Sequence, residues 1–110
     1  MKNGRRKNHT MEKMVKPNEE KLRAITKYFG VETEIMKLNE EVGELANACY
    51  LYQNGKTTED IEDECADVLV VLSQLMLFYD CDLKKIQDIY NKKISRTLER
   101  IAVNWYEKHR

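Results

Sequence analysis

The sequence predicts an all-α protein, a four-helix antiparallel bundle whose core is completed by dimerisation. Three observations carry this prediction. The 110 residues include one proline and four glycines, and 42% of them are hydrophobic, a composition that supplies long helices and few β-turns. The segment from Cys65 to Tyr79 is apolar almost all the way round, as in a helix that other helices surround. A chain this small has too few other helices to bury such a helix on all sides, which favours self-association.

The breaks along the chain divide it into a tail and four helices. Residues 1–15 are expected to form a disordered basic tail, and residues 16–108 a single helical domain. Proline suits the first turn of a helix, and Asn-Gly suits its end, so Pro17 and Asn54-Gly55 mark two boundaries. The expected helices span about residues 17–29, about 33–53, from a cap at Thr57 or Thr58 to about 79, and about 83–107.

Charge and cysteine usage exclude several classes of protein. Nineteen basic residues balance nineteen acidic ones, which argues against nucleic acid as the main partner, because that binding needs an excess of Lys and Arg. No uninterrupted apolar segment is long enough to span a membrane. The three cysteines have no Cys-x-x-Cys spacing and are predicted to be reduced core thiols of a cytoplasmic protein.

Two acidic pairs with the same spacing lie inside stretches that otherwise resemble buried helix. They are Glu41-Val42-Gly43-Glu44 on the second helix and Glu64-Cys65-Ala66-Asp67 on the third. An ionised carboxylate that is moved out of water without a partner costs several kcal/mol, so carboxylates converging in a helical core need a cation. The pattern therefore predicts a metal site formed by Glu41, Glu44, Glu64 and Asp67.

The two pairs are not equally informative. Glu40, Glu41 and Glu44 could belong to a solvated helix face, which is the usual place for Glu in a chain that is 35% charged. Asp67 is different, because Asp is a poor residue for a helix interior and this one has apolar neighbours on every side. Two such pairs on consecutive helices favour the metal site over chance.

The residue types that are missing narrow the choice of metal. The two histidines, His9 and His109, lie near the two ends of the chain, so neither acidic pair has the Glu-x-x-His pattern of di-iron bundles. Ligand spacing for zinc and an EF-hand loop are also absent. An all-oxygen set of carboxylates suits Mg²⁺, with Mn²⁺ as a possible substitute.

Basic residues on the fourth helix suggest the ligand that such a metal would share. Mg²⁺ held by a few carboxylates usually binds phosphate oxygens as well. Lys93 and Arg100 lie along one helix face with Thr97 between them, and Arg96 is close by. A solvated basic face would have the same pattern. Together with the acids, however, Lys93, Arg96 and Arg100 favour a site for a nucleoside triphosphate or a similar polyphosphate.

The acidic motifs resemble a known family. Glu40-Glu41-Val42-Gly43-Glu44-Leu45-Ala46, followed after nineteen residues by Glu64-Cys65-Ala66-Asp67-Val68-Leu69, is similar to the EExxE and ExxD signature of the MazG-like all-α nucleoside triphosphate pyrophosphohydrolases. The resemblance covers about residues 21–100. The segment from Tyr90 to Arg100 is similar to the basic motif that follows in many members, with Thr97 where Asn is often found.

The resemblance implies an activity and a set of roles. Members cleave nucleoside or deoxynucleoside triphosphates between the α and β phosphates with Mg²⁺ or Mn²⁺, giving the monophosphate and pyrophosphate. By carry-over Glu41, Glu44, Glu64 and Asp67 are metal ligands, and Lys93, Arg96 and Arg100 bind the phosphates. Glu40 either supports the metal ligands or helps to orient the attacking water, so Glu40, Glu41 and Glu44 form the catalytic set. Members are usually homodimers or homotetramers. No nucleophilic side chain is needed, because in-line attack by water depends on positioning and charge neutralisation.

Two alternatives remain open at the level of sequence. Phosphoribosyl-ATP pyrophosphohydrolase has a similar helix with paired acids, but it commonly carries a His a few residues after the Asp, where this chain has Val71, Leu72 and Ser73. A non-catalytic helical interaction module would instead expose the acids on its surface and use Trp105-Tyr106 as an anchor for a partner. That module predicts no loss of activity when Asp67 is replaced by Asn.

Overall fold

The structure, a computed structural model, describes residues 10–56 and 60–109, without the side chain of Tyr106. The all-α, four-helix prediction is confirmed, because the described residues contain four long helices and no strand. The helices are α1 (Thr10–Val15), α2 (Glu19–Phe29), α3 (Val31–Gln53), α4 (Ile61–Phe78), α5 (Leu83–Ala102) and α6 (Trp105–Lys108), and a 3₁₀ turn (Lys16–Asn18) connects α1 to α2. None of the helices in these residues is both long and apolar enough to cross a membrane.

The chain divides into two compact units by its backbone contacts. The first unit is Val15–Cys81 and contains α2, α3 and α4. The second combines the described residues of Met1–Met14 with Asp82–Arg110 and contains α5 and α6. The predicted acidic residues all belong to the first unit and the predicted basic residues to the second.

The beginning of the described chain differs from the disordered tail that was expected up to residue 15. Residues 1–9 lie outside the described residues, but Thr10–Val15 forms a helix. Two contacts explain its order. The backbone N–H of Met11 donates to Oε1 of Gln87 at 3.0 Å, and Val15 is fully buried. The periodicity of these few residues was too short to predict either contact.

The core of the first unit lies where α2 and α3 pack along α4. Nε2 of Gln74 on α4 donates to Oγ1 of Thr26 on α2 at 3.0 Å, and Nη1 of Arg23 donates to the carbonyl oxygen of Leu77 at 3.3 Å. Arg23 precedes Thr26 on α2, whereas its partner Leu77 follows Gln74 on α4. The two helices are therefore antiparallel. The link from α3 to α4 is short, which gives these two helices opposite directions as well.

Local residues explain where the helices begin and end. Asp60 caps α4 by accepting a hydrogen bond from the backbone N–H of Glu62 at 3.0 Å. The predicted caps, Thr57 and Thr58, lie outside the described residues, and the cap prediction is wrong because the helix begins at Ile61. The predicted fourth helix is interrupted before residue 107, because Asn104 adopts the left-handed conformation with φ 56° between α5 and α6.

The cysteine prediction also needs correction. Cys49, Cys65 and Cys81 are free thiols, as expected, but all three are exposed and not part of the core.

Gly30 and Gly43 form a matched pair that tests whether the backbone between α2 and α3 is strained. Gly30 separates α2 from α3 at φ 90° and ψ 145°, which is strained for any residue with a Cβ. Gly43 lies inside α3, and a Cβ at either position would meet no atom within 4 Å. We expect Gly30→Ala to destabilise the fold by about 1–3 kcal/mol and Gly43→Ala to stabilise it by up to about 1 kcal/mol. Thermal unfolding of both variants measures this, and a stable Gly30→Ala variant would contradict the strained connection.

Candidate metal centre and phosphate-binding residues

Three of the four predicted metal ligands converge between α3 and α4. One carboxylate oxygen from each of Glu41, Glu64 and Asp67 lies within 4.8 Å of the other two. Helical spacing explains the arrangement, because Glu64 and Asp67 are three residues apart on α4 and face the stripe of α3 that carries Glu41. The fourth predicted ligand, Glu44, is not in this group, since it lies one turn further along α3 and is exposed.

The burial of the cluster separates it from an ordinary acidic surface. Glu64 is 7% exposed, and the side chain of Glu41 is 12% exposed, whereas Asp67 is partly exposed. Oε1 of Glu41 is buried and has no hydrogen-bond partner among the described residues. Its other oxygen lies 3.9 Å from Nζ of Lys37, which is itself half exposed. This distant and partly solvated lysine is a weak counter-charge for the Glu41 carboxylate.

The electrostatics of Glu41 follow from this crowding. Burial raises the pKa of the Glu41 carboxyl above its ordinary value, and the negative charges of Asp67 and Glu44 raise it further. The ammonium group of Lys37 lowers the pKa by less than these effects raise it. The ionised form of Glu41 is therefore less favourable in the protein than in water, and a bound cation would stabilise it.

The chemistry of the donor set fits Mg²⁺. All three donors are carboxylate oxygens, which are hard ligands. A cation about 2.1 Å from each oxygen in octahedral geometry holds its ligand oxygens about 3–4 Å apart. The three carboxylate oxygens lie within 4.8 Å of one another, which is close to that spacing. Mn²⁺ accepts the same ligands.

A cavity of about 630 Å³ borders the cluster on one side of α3. Glu40, which was predicted to act on the attacking water, and Glu44, the fourth predicted ligand, line it together with Glu64. Asn39, Gly43 and Asn47 complete the lining at a spacing of four residues, which puts them in one row along the helix. The two asparagines were not predicted from the sequence, although this spacing beside the Glu-rich motif could have identified them.

The structure also contains a buried acid that the sequence analysis missed. Glu34 on α3 is 1% exposed, although it stands among polar residues in the first turn of the helix. It precedes Glu41 by seven residues, a spacing that puts both on the same helix stripe. This seven-residue spacing could have identified Glu34 from the sequence.

The predicted phosphate-binding residues lie on α5, in the second unit. Lys93 and Arg96 line a groove of about 560 Å³ along this helix, and the Thr97 hydroxyl donates to the carbonyl oxygen of Lys93 at 2.9 Å. The Arg100 guanidinium lies 4.5 Å from the centroid of the Trp105 ring, in a cation–π contact. In the part of the chain that the structure describes, Lys93, Arg96 and Arg100 form no ion pair.

The described residues thus combine an all-α fold with a carboxylate cluster of the kind that can hold a metal ion. A comparison with protein-family models identifies the family, because residues 29–101 match the MazG nucleotide pyrophosphohydrolase domain. The match includes α3, α4 and nearly all of α5, and the chain therefore belongs to the MazG nucleotide pyrophosphohydrolase family. Searches of curated proteins and of solved structures gave no match.

Proposed function

We propose that this protein is a Mg²⁺-dependent nucleoside triphosphate pyrophosphohydrolase. The substrate is a nucleoside or deoxynucleoside triphosphate, and the products are the monophosphate and pyrophosphate. The observation that carries the proposal is the convergence of Glu41, Glu64 and Asp67 within 4.8 Å between two packed helices. Membership of the MazG family supports the same reaction.

The acidic residues of the site have two proposed roles, metal binding and activation of water. Glu41, Glu64 and Asp67 would hold the cation, and Glu44 would add its carboxylate to the same site. When bound, Mg²⁺ would polarise the phosphate oxygens and neutralise the charge that develops on them. Glu40 and Glu44 lie beside the cluster in the same cavity, where they orient a water molecule and accept its proton. The water oxygen attacks the α-phosphorus, the bond from that phosphorus to the bridging oxygen breaks, and pyrophosphate leaves with the bonding electrons.

The phosphates require positive charge. From the sequence resemblance we propose that Lys93, Arg96 and Arg100 bind them, since guanidinium and ammonium groups donate several hydrogen bonds to phosphate oxygens. The cytoplasm is the proposed compartment, because the free and exposed cysteines suit reducing conditions. The proposed role is removal of unwanted nucleotides from the cellular pool.

Release of pyrophosphate tests the activity. Wild-type protein is incubated with each of a panel of NTPs and dNTPs in the presence of Mg²⁺, of Mn²⁺, or of EDTA. The proposal predicts pyrophosphate release with either metal and none with EDTA. Phosphoribosyl-ATP belongs in the panel, because exclusive turnover of that compound would favour the alternative pyrophosphohydrolase. If the metals support no turnover of any compound and do not change the melting temperature, the interaction module becomes the better account.

The apolar residues that remain exposed favour a homodimer or homotetramer. On α4 they include Leu69, Val70 and Leu72, and on α5 they include Ile89, Tyr90, Ile94, Leu98 and Ile101. Rows of exposed apolar side chains on this scale usually mark an interface. We expect sedimentation velocity at micromolar concentration to give a species of two or four chains, and Leu98→Glu to weaken its association. A stable monomer would contradict this prediction.

A further inference from the structure

Glu34 is a buried carboxylate that the proposed chemistry does not use. It is 1% exposed, and neither of its oxygens has a hydrogen-bond partner among the described residues. In the same residues no lysine or arginine forms an ion pair with it. Burying a carboxylate without hydrogen-bond donors destabilises the fold. A ligand that supplies such donors would offset this cost.

The position of Glu34 relates it to the metal cluster. It lies two turns before Glu41 on the same stripe of α3, offset by about 20° around the axis and about 10 Å along it. That distance is too long for the two carboxylates to share one cation. Because α3 and α4 are antiparallel, residues that precede Glu41 on α3 lie opposite residues that follow Asp67 on α4. Glu34 is therefore level with Val71 and Gln74. Both of these residues are 2% exposed.

A cavity lies next to this position, within the first unit. It has a volume of about 290 Å³ and is lined by Arg23, Thr26, Lys27, Gly30, Val31, Gln74 and Phe78. Gly30 is one turn before Glu34 on the same stripe. Side chains on a helix lean toward its N-terminus, so the Glu34 side chain extends over the turn that contains Gly30. Glu34 itself is not in the lining, but Gly30 and Val31, about one turn before it, and Gln74 are, so the cavity borders the turn over which the Glu34 side chain extends.

We propose that Glu34 is a specificity-determining residue that accepts hydrogen bonds from the nucleobase of the substrate. The inference rests on the proposed function, which anchors the triphosphate at the metal cluster. The sugar follows directly after the α phosphate, so the base is the part of the nucleotide that reaches a carboxylate two helical turns away. Phe78 lies in the lining of the cavity, where its ring offers a stacking surface for a base.

The chemistry of a carboxylate decides which bases fit. An ionised carboxylate only accepts hydrogen bonds. Guanine presents an amino group and a neighbouring ring N–H, which together match both oxygens, and adenine and cytosine present one amino group each. Uracil and thymine present a ring N–H between two carbonyl oxygens, which repel the carboxylate. Glu34 therefore selects amino-bearing bases, guanine first, and disfavours uracil and thymine.

Glu34→Gln tests this proposal, because the amide keeps the size of the side chain but exchanges one acceptor for a donor. Glu32→Gln, on the exposed side of the same turn, is the matched control. We measure kcat/KM for dGTP, dCTP, dATP, dTTP and dUTP with each protein. Wild type and the control are expected to prefer dGTP over dTTP, and Glu34→Gln to reduce that ratio by about tenfold or more, the discrimination typical of one bidentate contact.

A second measurement separates failure of this inference from failure of the proposed function. Binding of dGMP and dTMP is followed by the rise in melting temperature, which requires no turnover. A larger rise with dGMP in wild type that is lost in Glu34→Gln supports the base contact even without hydrolysis. If nucleotides are hydrolysed but the substitution leaves the order of the bases unchanged, the inference is overturned and the proposed function stands. Equal rises with dGMP and dTMP in wild type would also overturn it.

Discussion

Glu41→Gln and Asp67→Asn are each expected to lower kcat/KM for pyrophosphate release by about a thousandfold, since the charge stabilisation that a metal provides amounts to several kcal/mol. Each substitution keeps the shape of the side chain and removes a negative charge from the cluster, in which the oxygens lie within 4.8 Å of one another. A neutral amide is a weaker ligand for a hard cation. The loss should appear mainly in kcat, and higher Mg²⁺ concentrations should recover part of it.

Glu62→Gln is the control for this prediction. Glu62 is an exposed acid in the first turn of α4, two residues from Glu64, and it is not part of the cluster. Its substitution changes the net charge of the protein by the same amount. We expect its kcat/KM to stay within about twofold of wild type. If all three substitutions have the same effect, bulk charge and not the cluster determines the activity.

The same Glu41→Gln substitution is expected to stabilise the metal-free protein. Oε1 of Glu41 is buried without a hydrogen-bond partner among the described residues, and an unsatisfied buried acceptor costs about 1–3 kcal/mol, more when it is charged. Removing the charge relieves repulsion from Asp67 and Glu44. In EDTA at neutral pH the variant should melt several degrees above wild type. Added Mg²⁺ should raise the melting temperature of wild type and leave that of the variant almost unchanged.

The pH dependence of this difference has a definite sign. The pKa of Glu41 is raised in the folded protein above its ordinary value near 4.5, so the folded state binds more protons than the unfolded state once the pH exceeds that value. Stability of the wild type therefore falls as the pH rises through the window between the ordinary and the raised pKa. The gap in melting temperature between Glu41→Gln and wild type should widen over this window and then become constant. A gap that narrows as the pH rises would contradict the burial of an ionised Glu41.

Much of the fold could be predicted from the sequence because its signals are local. The end of the second predicted helix at Asn54-Gly55 and the break at Asp80 follow from turn chemistry, and Asp80 has the positive φ that a sharp break requires. The cap of α4 was misjudged because Thr57, Thr58 and Asp60 are all good capping residues within one turn. The cysteines were misjudged because an apolar neighbourhood in sequence does not determine which face a thiol occupies.

The candidate site was predictable as far as helical spacing extends. Two i, i+3 acidic pairs in apolar surroundings predicted the cluster of Glu41, Glu64 and Asp67, whereas the side of α3 on which Glu44 lies depends on the packing angle between helices. Glu34 escaped notice because acids in the first turn of a helix are usually explained by the helix dipole. Its burial depends on how α3 packs in the folded unit, which a single sequence does not reveal.

Phosphorus NMR of the reaction products tests the central claim most directly. Wild-type protein is mixed with dGTP and Mg²⁺, and the phosphorus signals are followed until the substrate is consumed. Cleavage between the α and β phosphates predicts that dGMP and pyrophosphate appear together in equal amounts, with no signal when EDTA replaces Mg²⁺. Formation of dGDP and orthophosphate, or no consumption of any nucleoside triphosphate in the panel, would contradict the account.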